Sequence, residues 1–461
     1  MENAPREFAD VPAAGSRVSA AKARRDGLYL LVLGCSVFLL FGLALMPSTE
    51  ALDFEDQYYT AQTLLRHGDP YDQKQVLQVF NAVDANSSAD SFTNRMIVTR
   101  TNYLPTAFPV TIAFAMLPYW LAHWLWMSLT AGSLIVAAFL IWREGAQYAP
   151  ALSGALVGYL LASNIFILLS TNPAGISIGL CVIAAWCFLR NRYIAIGVFC
   201  FAIALMLKPH DVGLVWLYFL FAKTVRKPAL LSSLLVIALT IPVITWLAYA
   251  TPHWASEWRS NLQFYAMPGG MNDPSPAAGR GSGMDRMINL QTATSLLSDN
   301  PHVYNAIAYL ICGVLLLIWL AATVRARRSV SGAYLGLAAA SVLTMLPVYH
   351  RQNDAILLLL AIPACAKLWA ESRQLGRSAL AFTFAALYIT GALPWVFVTI
   401  LNSYYKPAVG FASRLLATTQ LLSVPIILLA MAIFYLWTYL ASATRAPVNV
   451  SDSELVATEA P

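Results

Sequence analysis

Charge is what this sequence has least of. Asp, Glu, Lys and Arg make up 11% of its 461 residues, against roughly 25% in soluble globular domains, so water cannot be the main solvent for most of the chain. Cysteine and histidine are equally sparse, with six of each. Cys35, Cys181, Cys187, Cys200, Cys312 and Cys365 all fall inside apolar segments. A disulfide framework or a cysteine metal site needs them clustered in loops at ligand spacing, so they read as small core residues. No cofactor and no metal is expected. A phosphate-binding loop is missing too: GMNDPSPAAGRGSGMDR at 270–286 is rich in Gly, Pro and Ser but lacks both the Lys and the strand-to-helix setting. It reads as an irregular loop.

What the chain has instead is apolar length. Hydrophobic residues make up 59% of it, and the mean hydropathy is +0.62. A helix crosses a bilayer in about 20 apolar residues, and about twelve segments qualify or nearly do. They are 27–46, 107–142 (long and broken, taken as one), 151–170, 174–189, 193–207, 212–222, 229–250, 304–324, 330–348, 355–370, 379–401 and 414–441. The segments at 193–207 and 212–222 are the shortest. The expected fold is an all-α polytopic membrane protein whose membrane domain spans 27–441. Residues 1–26 and 442–461 bury too little apolar surface to order themselves and are expected to be loose tails. Arg24 and Arg25 precede the first span as in a signal peptide, but that span is of membrane length without a clear cleavage site. It reads as an uncleaved anchor.

The net charge of +6 would suggest nucleic acid in a soluble protein, but here its distribution matters more. With the N-terminus inside, 18 of the 29 Lys and Arg residues fall in inner segments, Arg143, Arg190, Arg192, Arg226 and Arg325 among them. The remaining 11 lie outside, largely in two long loops that the positive-inside rule ignores. Both termini are therefore expected in the cytoplasm of a plasma (inner) membrane protein, with no nucleic-acid partner.

Two outer segments, 47–106 and 251–303, are too long for simple connectors and are candidates for function. In the first, Phe54, Tyr58, Ala61 and Leu65 mark one apolar helical face, and Asp53, Asp56 and Thr60 an adjoining one. Gly68 supplies a stop. The expectation is an interfacial helix along the outer leaflet with its tyrosines at headgroup depth.

Three polar islands share that outer side: NYLPTAFP (102–109), LKPHD (207–211) and YHRQND (349–354). Charges at membrane depth face a cavity or a partner and are functional by default. Lys208, His210, His350 and Arg351 would suit an anionic phosphate headgroup, with Arg giving forked hydrogen bonds and Lys a point charge. A carboxylate near that rim can take a proton from an attacking hydroxyl. Together these suggest transfer of a group from a lipid-linked phosphate to an alcohol outside the membrane, with Asp53 as base.

Several of these stretches resemble the integral-membrane GT-C glycosyltransferases of family 87, which are similar to polyprenyl-phosphate-mannose-dependent mannosyltransferases of bacterial envelopes. The resemblance rests on Asp53-Phe54, Tyr58-Tyr59-Thr60-Ala61, Gly68-Asp69-Pro70-Tyr71-Asp72 and Tyr103-Leu104-Pro105. Asn172-Pro173-Ala174-Gly175, Lys208-Pro209-His210 and Tyr349-His350-Arg351 fit later positions. The motifs are short, and their order over most of 27–400 carries the likeness. It implies a GT-C fold, Asp53 as catalytic base, donor phosphate at Lys208, His210, His350 and Arg351, and substrate contacts from Tyr58, Tyr59, Tyr103, Asn172 and Asp354. One extra residue before Tyr58-Tyr59 lets Asp56 occupy the base position instead. His210 stands where Gln is commoner, and Asn172-Pro173 where Gly-Gln is. The implied substrates are a polyprenyl-phosphate sugar and a glycolipid or glycan acceptor, amid membrane lipids.

Blander readings stand beside these. Asp53 could be a helix N-cap worth about 1 kcal/mol, and Lys208 could snorkel from a helix end. His123 reads as a core histidine, Trp254 and Trp258 as an interfacial belt, and Asp72, Asp273 and Asp285 as turn carboxylates. The rival functions are a transporter or flippase of a lipid-linked substrate and a non-catalytic lipid-phosphate binder. The first of these would want ionisable groups at mid-membrane.

Overall fold

The structure is a computed structural model that describes residues 14–45, 51–83, 92–222, 225–275, 287–298, 300–326, 330–394 and 411–444. It is all-α. Among the described residues the only β pairing is an isolated antiparallel bridge between Met287 and Arg351. Among the described residues, six helices are long and apolar enough to cross a membrane: Ser19–Ala44, Tyr119–Gly145, Arg226–Ala250, Pro301–Arg325, Gln352–Glu371 and Ser423–Ala443. Five shorter apolar helices accompany them, at Pro105–Ala115, Pro150–Ser163, Pro173–Leu189, Ile194–Leu207 and Gly332–Thr344. At 1.5 Å per residue the shortest of these reach only part way across a hydrocarbon core of about 30 Å.

The first helix, α1 (Ala14–Leu45), begins inside the stretch expected to be loose. It packs closely along α7 (Pro150–Ser163) because both carry glycine at the contact. A Cβ on Gly34 would lie 2.3 Å from Gly158 Cα, and one on Gly154 would lie 2.0 Å from the Gly27 carbonyl oxygen. Small residues at this spacing let backbones meet where lipid supplies no hydrophobic drive.

Proline sets the breaks. The expected single segment 107–142 is two helices, α5 (Phe108–Ala115) and α6 (Tyr119–Gly145). Pro118 between them lacks an N–H and disfavours helical geometry in Leu117. Near Lys208, α10 (Ile194–Leu207) and α11 (Pro209–Phe221) form a hairpin: Lys208 ends the first helix, donating to the Ala204 carbonyl at 3.1 Å, and Pro209 opens the second. Phe201 and Phe219, one on each arm, both meet Phe188 of α9 (Pro173–Leu189). The expected segment 355–370 is a buried 3₁₀ run, Gln352–Ala361, continued by α17 (Ile362–Glu371). Within 379–401 the helix α18 (Arg373–Thr390) ends early, and residues 395–401 lie outside the described ones.

The first outer loop departs most from expectation. Its helix α2 (Leu52–Leu65) does not lie on a leaflet: Phe54 through Ala61 and Thr63–Leu64 are all buried. Helices α3 (Gln73–Val83), α4 (Phe92–Val98) and α5 pack around it. Tyr58 and Tyr59 sit in an aromatic cluster with Phe54, Phe80 and Tyr119. The one-sided apolar pattern belongs to α3, which buries Val76, Val79 and Phe80. Nor is Gly68 the left-handed residue that stops α2. His67 takes φ 64°, its N–H bonding Leu64 O at 3.0 Å, and Gly68 N–H reaches Thr63 O at 2.9 Å, closing a Schellman turn.

The opposite end of the bundle is fixed separately. Buried Glu144, at the end of α6, accepts hydrogen bonds from Trp186 Nε1 (2.8 Å), Arg190 Nε (2.9 Å) and the Tyr334 hydroxyl.

Gly158→Val sets a branched side chain against the Leu30 carbonyl, where a Cβ already lies at 2.4 Å. It is expected to cost at least about 3 kcal/mol, the upper end of overpacking, read as thermal unfolding in detergent. Gly132, exposed on α6 with nothing near its Cβ position, should instead gain about 0.5–1 kcal/mol as Gly132→Ala.

Candidate functional site

The end of the bundle away from Glu144 gathers the polar islands, because three helices begin there. The N-termini of α9, α11 and the 3₁₀ run each face a carboxylate, which their backbone dipoles favour. At α9, Asn172 is the N-cap: its Oδ1 accepts from Ala174 N–H at 2.9 Å, while its Nδ2 donates to Asp53 Oδ2 at 2.8 Å. Asp211 lies in the first turn of α11. Asp354, at the start of the 3₁₀ run, accepts the Arg351 N–H on Oδ2 at 2.8 Å.

Lys208 joins the second and third of these starts. Its ammonium lies 2.8 Å from Asp354 Oδ1 and 3.3 Å from Asp211 Oδ2, and the residue is 5% exposed. The two carboxylates hold it charged despite its burial, raising its pKa above the ordinary lysine value. A cation so engaged is not open to a ligand, so the expected phosphate contact from Lys208 is replaced by a structural one. Asp354, expected at the substrate, is likewise spent on Lys208 and the Arg351 backbone.

His350 is fully buried, with Nδ1 3.0 Å from the Val348 carbonyl and Nε2 3.5 Å from Asp211 Oδ1. Burial works against charge on its ring, but Asp211, Asp354 and the Val348 carbonyl outweigh that and raise its pKa. His210 keeps 37% of its side chain exposed and sets Nε2 3.2 Å from the same Asp211 oxygen. Arg351 is half-buried; its guanidinium reaches Asn272 Oδ1 at 3.4 Å and sits 5.5 Å over the Tyr349 ring. Of the four cationic candidates, Arg351 and His210 are the ones near the surface.

The acidic pair of α2 divides by environment. Asp53 is half-exposed, whereas Asp56 is buried. Burial raises the Asp56 pKa well above the usual carboxylate range; the Thr101 hydroxyl opposes the shift and the charge of Asp53 adds to it. Burial thus disfavours the charged form of Asp56, which separates the roles open to the two.

Tyr103 and Tyr349 both respond to the acidic and the cationic groups. Burial raises the Tyr103 pKa well above the ordinary phenol value; the charges of Asp53 and Asp56 push it further, and Arg351 opposes. Tyr349 is raised to about 12, first by burial, with Arg351 and Lys208 lowering it and Asp354 and Asp53 raising it. Both phenols thus feel Asp53 and Arg351 together, although α2 and residues 349–354 are far apart in sequence.

Other expected residues serve the scaffold. The Tyr58 hydroxyl donates to Leu117 O at 2.7 Å, and Tyr59 is packed against Phe80 and Tyr119. His123 lies between the Phe54 and Tyr119 rings, as a core histidine would. The Trp258 indole donates to Asn102 O at 3.1 Å, so it anchors the Tyr103 segment to α13 (Trp254–Ala266). Asn261 strengthens that anchor, donating to Tyr71 O and Thr101 O at 3.0 and 3.1 Å. Thr101, Asn261 and Asn272 were not singled out in the sequence, since lone Asn and Thr residues in outer loops carry no spacing signal. Asp72 and Asp273 do cap turns, accepting the Lys74 and Ser275 N–H groups, and Asp285 lies outside the described residues.

The chain matches no family model, no curated protein and no solved structure.

Lys208→Met leaves Asp211 and Asp354 buried without their cation. Breaking one side of a buried pair costs about 3–5 kcal/mol, so the variant should unfold at markedly lower temperature in detergent. Lys208→Met/Asp354→Leu, which removes charge from both sides, should recover part of that loss.

Proposed function

We propose that the chain is an integral-membrane glycosyltransferase of GT-C type. It moves a hexose, mannose-like, from a polyprenyl-phosphate carrier to a hydroxyl of an envelope glycolipid or glycan on the outer side of the plasma membrane. The observation that supports this most is the run of contacts from Asp53 through Asn172 at 2.8 Å and the nearby Ser170 to Asn353 at 3.4 Å, two residues from Arg351. Sugar transfer from a lipid phosphate needs an acceptor for a hydroxyl proton near a cation for a leaving phosphate.

In the reaction, the acceptor oxygen forms a bond to the anomeric carbon as the bond from that carbon to the phosphate oxygen breaks. The proton of the attacking hydroxyl passes to Asp53, whose Oδ2 is held by the Asn172 amide. Fixing that oxygen limits the rotamers of the base, which favours a near-attack geometry. Arg351, with its guanidinium stacked over Tyr349, balances the charge left on the polyprenyl phosphate, and His210 at the surface can add a hydrogen bond. Asp56, whose charged form burial disfavours, takes no part in proton transfer. Lys208 and Asp354 hold the helix starts that set these groups.

Purified Asp53→Asn, assayed with radiolabelled polyprenyl-phosphate sugar, should lose at least about 100-fold in turnover, as for removal of a general base, while carrier binding is retained. Arg351→Ala should weaken carrier binding instead. Asp56→Asn, isosteric with the carboxyl it replaces, should keep most of its turnover. Full turnover in both the Asp53→Asn and Asp56→Asn proteins would sink the mechanism. Movement of labelled lipid between leaflets with no new glycosidic bond would identify a flippase.

A further inference from the structure

One group of side chains is left over by this account. Asp211 and His350 are both fully buried, yet neither Asp211 oxygen nor His350 Nε2 has a hydrogen-bond partner. Asp211 Oδ2 is met by the Lys208 ammonium at 3.3 Å, but Oδ1 faces two imidazole nitrogens at 3.2 and 3.5 Å. A carbonyl oxygen can only accept, so the contact of Val348 O with His350 Nδ1 at 3.0 Å puts the hydrogen on Nδ1. In the neutral ring, Nε2 then carries a lone pair aimed at a carboxylate oxygen. Two acceptors then face each other in a place without water contact, which is costly unless a proton or a metal ion lies between them.

Charge leads to the same conclusion. Lys208 brings one positive charge to two carboxylates, and Asp354 already has both the ammonium and the Arg351 N–H. One negative charge on Asp211 is left over, which makes the pocket attractive to a cation.

We propose that His210, Asp211 and His350 form a binding site for a divalent transition-metal ion of the zinc class. The geometry fits such an ion. One ligand atom from each of the three residues lies within 4.8 Å of the others. Bonds of about 2.0–2.1 Å in a tetrahedral site set neighbouring ligand atoms roughly 3.3 Å apart, close to the two distances from Asp211 Oδ1. Two imidazoles and one carboxylate suit zinc or its analogue cobalt better than calcium or magnesium, which take oxygen ligands. The supporting contacts are those that metal ligands need: a carbonyl fixes the His350 tautomer, and a cation holds the second oxygen of the ligating carboxylate. His210, with its ring at the surface, gives the ion a way in and leaves a fourth position for an exchangeable ligand.

The site does not depend on the sugar-transfer reading, because its measure is metal content. Full-length protein in detergent is stripped with a chelator, freed of it, and titrated with Zn2+ alone; Co2+ is used in parallel for its visible absorption, which is strong when tetrahedral. One equivalent should bind. His350→Ala, Asp211→Asn and His210→Ala should each weaken binding by at least about 100-fold, beyond the 10- to 100-fold typical of residues one step removed from the metal. His253→Ala, at an exposed histidine on α13's approach, should leave it unchanged. If the two buried variants do not fold, His210→Ala decides alone, since its ring is partly exposed. Binding of much less than one equivalent, or undiminished binding in His210→Ala, overturns the proposal and leaves a proton on His350 as the counter-ion of Asp211.

Discussion

The ammonium of Lys208, enclosed between Asp211 and Asp354, is the contact on which the polar end of this bundle depends. It lies at the turn between α10 and α11, and its partners stand at the starts of α11 and the 3₁₀ run. Neither helix start could stay buried with its carboxylate uncompensated, and the ammonium could not stay buried without both. The cost of removing these charges from water is large; the three together make it bearable and fix the register of two chain segments more than a hundred residues apart. Every later step, from the position of His350 to that of Arg351, follows from that register.

A second constraint comes from the loops that cover this end. Helix α2 carries Asp53 and Asp56, and the structure buries it beneath α3, α4 and α5. Aromatic contacts to Phe80 and Tyr119, and the Tyr58 hydroxyl bond to Leu117, hold its orientation. From the far side, Trp258 and Asn261 on α13 hold residues 101–102 in place. The described parts of residues 51–106 and 251–275 therefore form one cap, which holds one half-buried carboxylate beside one buried one. Solvent around Asp53 and its absence around Asp56 make two chemically different groups from two identical side chains.

At the other end, Glu144 with Arg190, Trp186 and Tyr334 ties α6, α9 and α16 (Val330–Thr344) together. Anchoring both ends of α6 and α9 limits how those helices can slide, which matters because Asn172, the partner of Asp53, begins α9. Between the ends, glycine contacts bring α1 and α7 to backbone distance. The middle of the bundle is thus joined by packing and its ends by charge.

Much of this was legible in the sequence. Low charge and long apolar runs specify a membrane-embedded helical chain, because hydropathy is a local property that needs no partner. The polar islands were equally legible, since a charge beside an apolar run is costly wherever the chain folds. What each island does was not. Lys208 read as a phosphate ligand and is an internal counter-ion; Tyr58 and Tyr59 read as substrate contacts and are core; Asp211 read as one charge of a polar island with no role of its own, yet two histidines converge on it. The helical pattern of α2 gave one apolar face, because periodicity cannot register that other helices cover the remaining faces. A sequence states how costly it is to bury each group. Only the folded chain decides which partner, brought from a distant segment, removes that cost and which groups are left to meet a ligand.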